Sequence, residues 1–197
     1  MEILEMQKST EIEYPILELI EQRRSSRAYS DKAVEPEKIK ALFEAARWAP
    51  SSVNEQPWVY LYATKDQAAL HQKIVDVLMS GNKIWAHNAP LLIVAMARKN
   101  FNQNDRPNGA AKYDLGSANA FLSLEATRLG LNVHQMGGFD REKAHVEFNI
   151  PPTHDAVVVI AIGYLGDINA LPEDLRAREL APRERNTQNF FVLNKEF

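Results

Sequence analysis

Cysteine is missing altogether from the 197 residues. Its absence removes disulfides, thiolate catalysis, iron–sulfur ligation and cysteine-type zinc sites together, and it fits a reducing compartment. Glycine is scarce, with 8 residues, and proline stands at 10. With an ordinary charged fraction of 25%, this is the composition of a folded chain rather than a disordered one. No uninterrupted apolar run is long enough to cross a bilayer, and the start, Met1-Glu2-Ile3-Leu4-Glu5, lacks the basic-then-apolar order of a secretory leader. The expectation is a cytoplasmic protein without a membrane partner. A basic excess is also lacking: the net charge of -3 argues against a general nucleic-acid binder.

The familiar catalytic signatures are absent as well. There is no G-x-S-x-G, no H-E-x-x-H and no G-x-x-x-x-G-K-[ST]. His71, His87, His134, His145 and His154 have no ligand-like spacing, so no metal site is expected, and Asp and Glu are too scattered to nominate a carboxylate pair. If the chain is an enzyme, its side chains offer no nucleophile or acid–base constellation, and a bound cofactor can supply the reactivity instead.

What is present begins with size. A chain of 197 residues can bury roughly 70% of its unfolded surface and needs no covalent staple; it is one domain or one protomer of an oligomer. The most concentrated chemistry is Arg23-Arg24-Ser25-Ser26-Arg27, three cations and two hydroxyls in five residues. Forked guanidinium groups grip phosphate oxygens bidentately, and serine hydroxyls add short donors. Taken alone, such a run reads better as a solvated basic turn than as an anion site. In a mildly acidic protein, a phosphate reading points to a small phosphorylated ligand.

Along the chain, residues 1–14 read as a loosely held arm, and a short amphipathic helix starts near Pro15. Pro36 opens a second helix with Ile39, Leu42, Phe43 and Ala46 on one face, stopped by Pro50. The stretch from Trp48 to Trp58 holds two prolines, two serines, Asn54 and Gln56, an ordered polar connector that can also edge a flat polar ligand. Strands are expected over 59–63, 90–97, 132–136 and 155–163, and helices over 66–79 and 141–148. Ser80-Gly81-Asn82 should break the first of these helices. Residues 98–113 read as an exposed loop or lid. Asp114 marks the start of the strongest helix, which Gly130 caps. Gly137-Gly138, the adjacent glycine pair, lets a backbone approach a ligand closely. A second basic pair, Arg183 and Arg185, precedes Phe190-Phe191-Val192-Leu193, an apolar end that needs a covering surface such as a second subunit. The class is α+β, one domain, a central sheet flanked by helices. Flavin mononucleotide suits these parts: one phosphate for the Arg/Ser cluster and a flat ring for the Ser/Asn loop and the glycine pair.

Arg23-Arg24-Ser25-Ser26-Arg27-Ala28-Tyr29 resembles the phosphate signature of the nitroreductase family of FMN-dependent enzymes. The run from Ala49 to Trp58 resembles the family's second signature, and Gly130 through Asp140 and the Arg183/Arg185 pair follow in family order. The resemblance spans roughly residues 15–186. It implies a mainly antiparallel sheet and an intertwined homodimer with FMN at the interface, residues 187–197 packing on the partner. It further implies that Arg23, Arg24, Ser25 and Arg27 hold the phosphate and ribityl end, helped by Arg183 and Arg185. Pro50, Ser51, Ser52 and Asn54 would come from the other subunit to line the ring, Asn82 would bond the pyrimidine edge, and Gly137 and Gly138 would lie beside N5. Some members carry an acidic residue where Gly137 stands. The implied activity is ping-pong hydride transfer from NADPH or NADH to a small acceptor such as a nitroaromatic or quinone, with chemistry carried by FMN rather than a catalytic side chain. Three alternatives stay open: another flavin chemistry on the scaffold (dehydrogenation, reductive dehalogenation or flavin destruction), a non-enzymatic FMN or phospholigand binder, and a dimeric scaffold with a solvated basic turn.

Overall fold

The computed structural model describes residues 12–196. Residues 1–11 of the expected N-terminal arm and Phe197 of the expected C-terminal extension lie outside the described residues. In chain order the elements are α1 (Glu18–Gln22), α2 (Pro36–Arg47), β1 (Trp58–Thr64), α3 (Ala68–Val77), α4 (Ser80–Ala86), β2 (Leu91–Arg98), α5 (Ala111–Arg128), β3 (Asn132–Met136), α6 (Arg141–Glu147), β4 (His154–Gly163) and α7 (Glu173–Leu180). Among the described residues the strands form one antiparallel sheet in the order β1-β2-β4-β3.

β2 explains the layering. Every residue from Leu91 to Ala97 is buried, and successive side chains point to opposite faces. Leu92, Val94 and Met96 join one core with Ile74 and Val77 of α3, Trp85 of α4 and Ala144 of α6. Leu91, Ile93, Ala95 and Ala97 join the other, with Leu42 of α2 and Leu115 and Leu122 of α5. Each such Leu or Ile contributes roughly 1.5–3 kcal/mol by leaving water. The α+β class is therefore as expected: one sheet between two helical layers, with β1 and β3 at the edges.

α2 starts at Pro36 and buries Ile39, Leu42 and Ala46, following the helical period. Gly130 ends the α5 region at φ +73°, a conformation a side chain would strain. α5 itself begins at Ala111, one turn ahead of Asp114. Three expectations are corrected. The helix near Pro15 begins only at Glu18, because Leu17 is extended. The break between α3 and α4 falls at Leu78 and Met79, and Ser80-Gly81-Asn82 opens a helix instead. A tertiary bond decides this: Leu78 bridges Phe139, and Met79 donates its N–H to the Gly138 carbonyl at 3.0 Å. The third correction is α7, for which no helix was expected.

The stretch after β2 is exposed but not loose. Asn100 bridges Pro107, Phe101 donates to the Arg106 carbonyl at 2.8 Å, and Asn108 donates to that of Lys99 at 2.7 Å. Glu55 pins its base: the buried carboxylate pairs with Arg98 and accepts the Asn102 N–H at 2.7 Å. At the other extreme, Tyr14, Leu17, Phe190 and Phe191 are each more than 60% exposed, an apolar surface that the described residues leave uncovered.

Candidate functional site

The segment leaving α1 is fixed first by its tail end. Ala28 to Ser30 runs antiparallel to Tyr164–Gly166: Ser30 donates to the Tyr164 carbonyl at 3.0 Å and Gly166 to that of Ala28 at 3.1 Å. Gly166 is required here, since a Cβ would collide with the Tyr29 backbone. The Tyr29 hydroxyl donates to the Ala161 carbonyl at 3.0 Å, and burial pushes its titration well above the usual phenol range.

Ser26 is the inward residue of the basic cluster. Its hydroxyl donates to Asn132 Oδ1 at 3.1 Å, and its carbonyl accepts from His134 Nδ1 at 3.2 Å. Asn132 and His134 share one face of β3. His134 also packs on Trp85, with ring centroids 4.6 Å apart. Burial, then the Arg27 charge, pushes its pKa down to about 4, so at neutral pH the imidazole is neutral, with the hydrogen on Nδ1.

With Ser26 turned in, Arg23, Arg24, Ser25 and Arg27 meet the tail. Arg183 Nη1 donates to the Arg23 carbonyl at 2.8 Å, and Arg24 Nη2 reaches that of Ala181 at 3.4 Å. Glu179, in the last turn of α7, accepts the Arg27 peptide N–H at 3.1 Å and lies 3.6 Å from its guanidinium. These groups, with Arg178 and Arg185, line a hollow of about 240 Å³. Burial, then repulsion from Arg183, Arg185 and Arg24, lowers the Arg23 pKa, and burial and Arg185 do the same to Arg183. A crowd of partly desolvated cations is a site whose chemistry asks for an anion.

The arginine hollow shares Arg23 and Ser25 with a second one of about 460 Å³, floored by Ile20, Ala120, Leu124 and Val133. Gln135 stands at its edge, its amide donating to Ser123 Oγ at 3.1 Å. β3 thus anchors the basic segment at one end and runs to Gly137-Gly138 at the other. An added Cβ at Gly137 would meet no atom within 4 Å, which leaves that backbone open to a ligand. Gly138 is closed: its carbonyl accepts from Met79 N at 3.0 Å and Asn82 Nδ2 at 3.0 Å, and a Cβ there would lie 2.9 Å from that amide nitrogen.

The connector with Pro50, Ser51, Ser52 and Asn54 lies elsewhere. It leads into β1, at the opposite edge of the sheet from β3, three strand spacings or about 14 Å away. Buried Asp114 accepts the Ser52 N–H at 3.1 Å, and Ser51 Oγ accepts that of Gln56 at 3.0 Å. Val53, Asn54 and Gln56 hold φ values of 47°, 58° and 50°. The left-handed region is costly for a β-branched residue, and such strain gathers at functional loops.

The structure therefore brings Arg23, Arg24, Ser25, Arg27, Arg183 and Arg185 together. It joins Asn82 to Gly138 and sets Pro50, Ser51, Ser52 and Asn54 apart within one chain. Sequence reasoning missed Asn132, His134 and Glu179. Pro172 followed by Glu173 and Asp174, with Arg178 near the end, was the available signal for α7. Among the described residues no group of three or more His, Asp or Glu side chains could hold a metal, and no helix is long and apolar enough to cross a membrane.

Comparison with known proteins gives the family of the chain. A family model described as "Nitroreductase family" matches residues 20–84 and 77–164. An Archaeoglobus fulgidus protein named "Putative NADH dehydrogenase/NAD(P)H nitroreductase" is 32% identical over 155 residues, covering 77% of this chain and 86% of its own. A solved structure described as "The crystal structure of the oxidoreductase containing FMN" superposes with a TM-score of 0.89 at 33% identity, over 95% of both chains. Another, described as "a putative nitroreductase in complex with fmn" from Desulfovibrio desulfuricans, shares the fold with a TM-score of 0.73 at 22% identity, over 94% of this chain and 99% of its own. The chain belongs to the nitroreductase family.

Proposed function

We propose that this protein is an FMN-dependent oxidoreductase that passes hydride from NADH or NADPH to a small acceptor such as a nitroaromatic or quinone. The observation that carries the reading is that Arg23 and Ser25 line both hollows. A crowd of guanidinium groups adjoins an apolar floor, beside a strand that ends in an open glycine. Arg23, Arg27, Arg183 and Arg185 would hold the phosphate with Ser25, Arg24 adding charge. When bound, FMN supplies an N5 atom that accepts and returns hydride. Gly137 can offer its N–H to that atom, and Asn82, which steadies Gly138, would bond the ring edge.

The assembly proposed is a homodimer. The Pro50–Asn54 connector leads into the sheet edge opposite β3, and a second copy would bring its own connector to the ring. Residues 15–186 would form the FMN-binding unit. Residues 187–196 would cover the partner, which accounts for exposed Phe190 and Phe191. Donor and acceptor would use one open face in turn, the basis of ping-pong kinetics.

The test is a visible spectrum of the purified protein. One flavin per protomer is expected, bleached by NADPH or NADH under nitrogen and recoloured by a quinone or nitroaromatic. A colourless protein that gains no thermal stability from added FMN would sink the reading.

A further inference from the structure

Among the described residues lining the arginine hollow, Glu179 is the acidic one. It is 5% exposed, and one oxygen, Oε2, takes both the peptide N–H of Arg27 at 3.1 Å and its Nη1 at 3.6 Å. Binding a phosphate calls for no carboxylate, and one already held by a guanidinium competes with the phosphate for it. A buried carboxylate is also costly unless paired. Its contacts with Arg27 give this charge a counter-ion. The neighbouring contacts, Arg24 to the Ala181 carbonyl and Arg183 to that of Arg23, join the same two segments. Glu179 differs from them in spending negative charge inside the hollow.

We propose that Glu179 is a positioning residue of the phosphate cradle that acts through Arg27: it clamps the peptide and guanidinium of Arg27, shares that guanidinium with an incoming phosphate monoester, and so caps the affinity of the site. The inference rests on the flavin reading above for the identity of the monoester. Glu179→Gln is the informative change, because the amide oxygen still accepts the Arg27 N–H while the charge is gone.

The experiment is a double-mutant cycle on apoprotein, titrated by flavin fluorescence with FMN and with riboflavin, which lacks the phosphate. Glu179→Gln should tighten FMN about tenfold and leave riboflavin within about twofold; in an Arg27→Gln background the gain should shrink below about threefold. An equal gain in both backgrounds, a gain shared by riboflavin, or no gain at all overturns the proposal. If Glu179→Gln does not fold, Arg27→Gln and Arg23→Gln decide. A guanidinium already shared with Glu179 should cost several-fold less FMN affinity to lose than Arg23, and equal losses overturn the idea. Inorganic phosphate separates the two readings. Wild-type protein stabilised by phosphate but not by FMN overturns the flavin reading, and the same cycle read with phosphate then decides on Glu179. Protein indifferent to both overturns both.

Discussion

Arg183 donates from Nη1 to the main-chain carbonyl of Arg23 at 2.8 Å, closing one end of the chain onto the other. The contact turns Arg183 into part of the wall that Arg23 and Ser25 complete. Losing a charged hydrogen bond to a phosphate oxygen costs about 1.5–3 kcal/mol, or roughly 10- to 100-fold in affinity. Arg183→Gln should weaken FMN binding by that factor, measured by fluorescence titration of apoprotein. Wild-type affinity should also fall as salt rises, because the site is partly open. Unchanged affinity would remove Arg183 from the cradle.

Val53 is 73% exposed and sits at φ 47°. Little packing is at stake, so Val53→Gly exchanges left-handed strain against the entropy glycine gives the unfolded chain. Strain is the larger effect for a β-branched residue. A gain of about 1 kcal/mol in denaturant unfolding is expected. A loss would mean that another surface covers Val53 in solution.

Much of this architecture is readable from hydrophobic period alone. β2 is apolar from Leu91 to Ala97 because that stretch is buried on both faces, and α2 marks its inner face at Ile39, Leu42 and Ala46. α7 escaped because its buried face amounts to Leu175 and Glu179, too little for a periodic signal. The break at Leu78 depends on Phe139 and Gly138, which lie far along the chain. The basic cluster was legible as composition, but only chain closure decides that Ser26 turns inward while Arg27 meets Glu179.

His134 makes stability depend on pH. Its folded pKa is about 4, below the ordinary 6.5, so the unfolded chain binds the proton more readily. Its contribution is full above pH 6.5 and is lost as pH falls toward 4, no more than about 3 kcal/mol in all. Burial shifts His71 in the same direction. Denaturant unfolding between pH 7 and pH 4 should show the decline, and His134→Gln should flatten it. A variant as acid-sensitive as the wild type would assign the effect to other groups.

Gly137 and Gly138 are adjacent but differ in what surrounds them. A Cβ at Gly138 meets Asn82 Nδ2 at 2.9 Å, displacing the amide that bonds the Gly138 carbonyl at 3.0 Å. Since the far end of a flexible side chain can move, Gly138→Ala should cost about 1 kcal/mol, the value of the lost bond. At Gly137 the added methyl enters open space, so Gly137→Ala should leave the stability of apoprotein unchanged. If that space is where the flavin ring lies, the same methyl should weaken FMN at least several-fold by overpacking. Thermal unfolding and FMN titration, run on both variants, separate the two effects. Gly137→Ala with full FMN affinity would move the ring away from this end of β3.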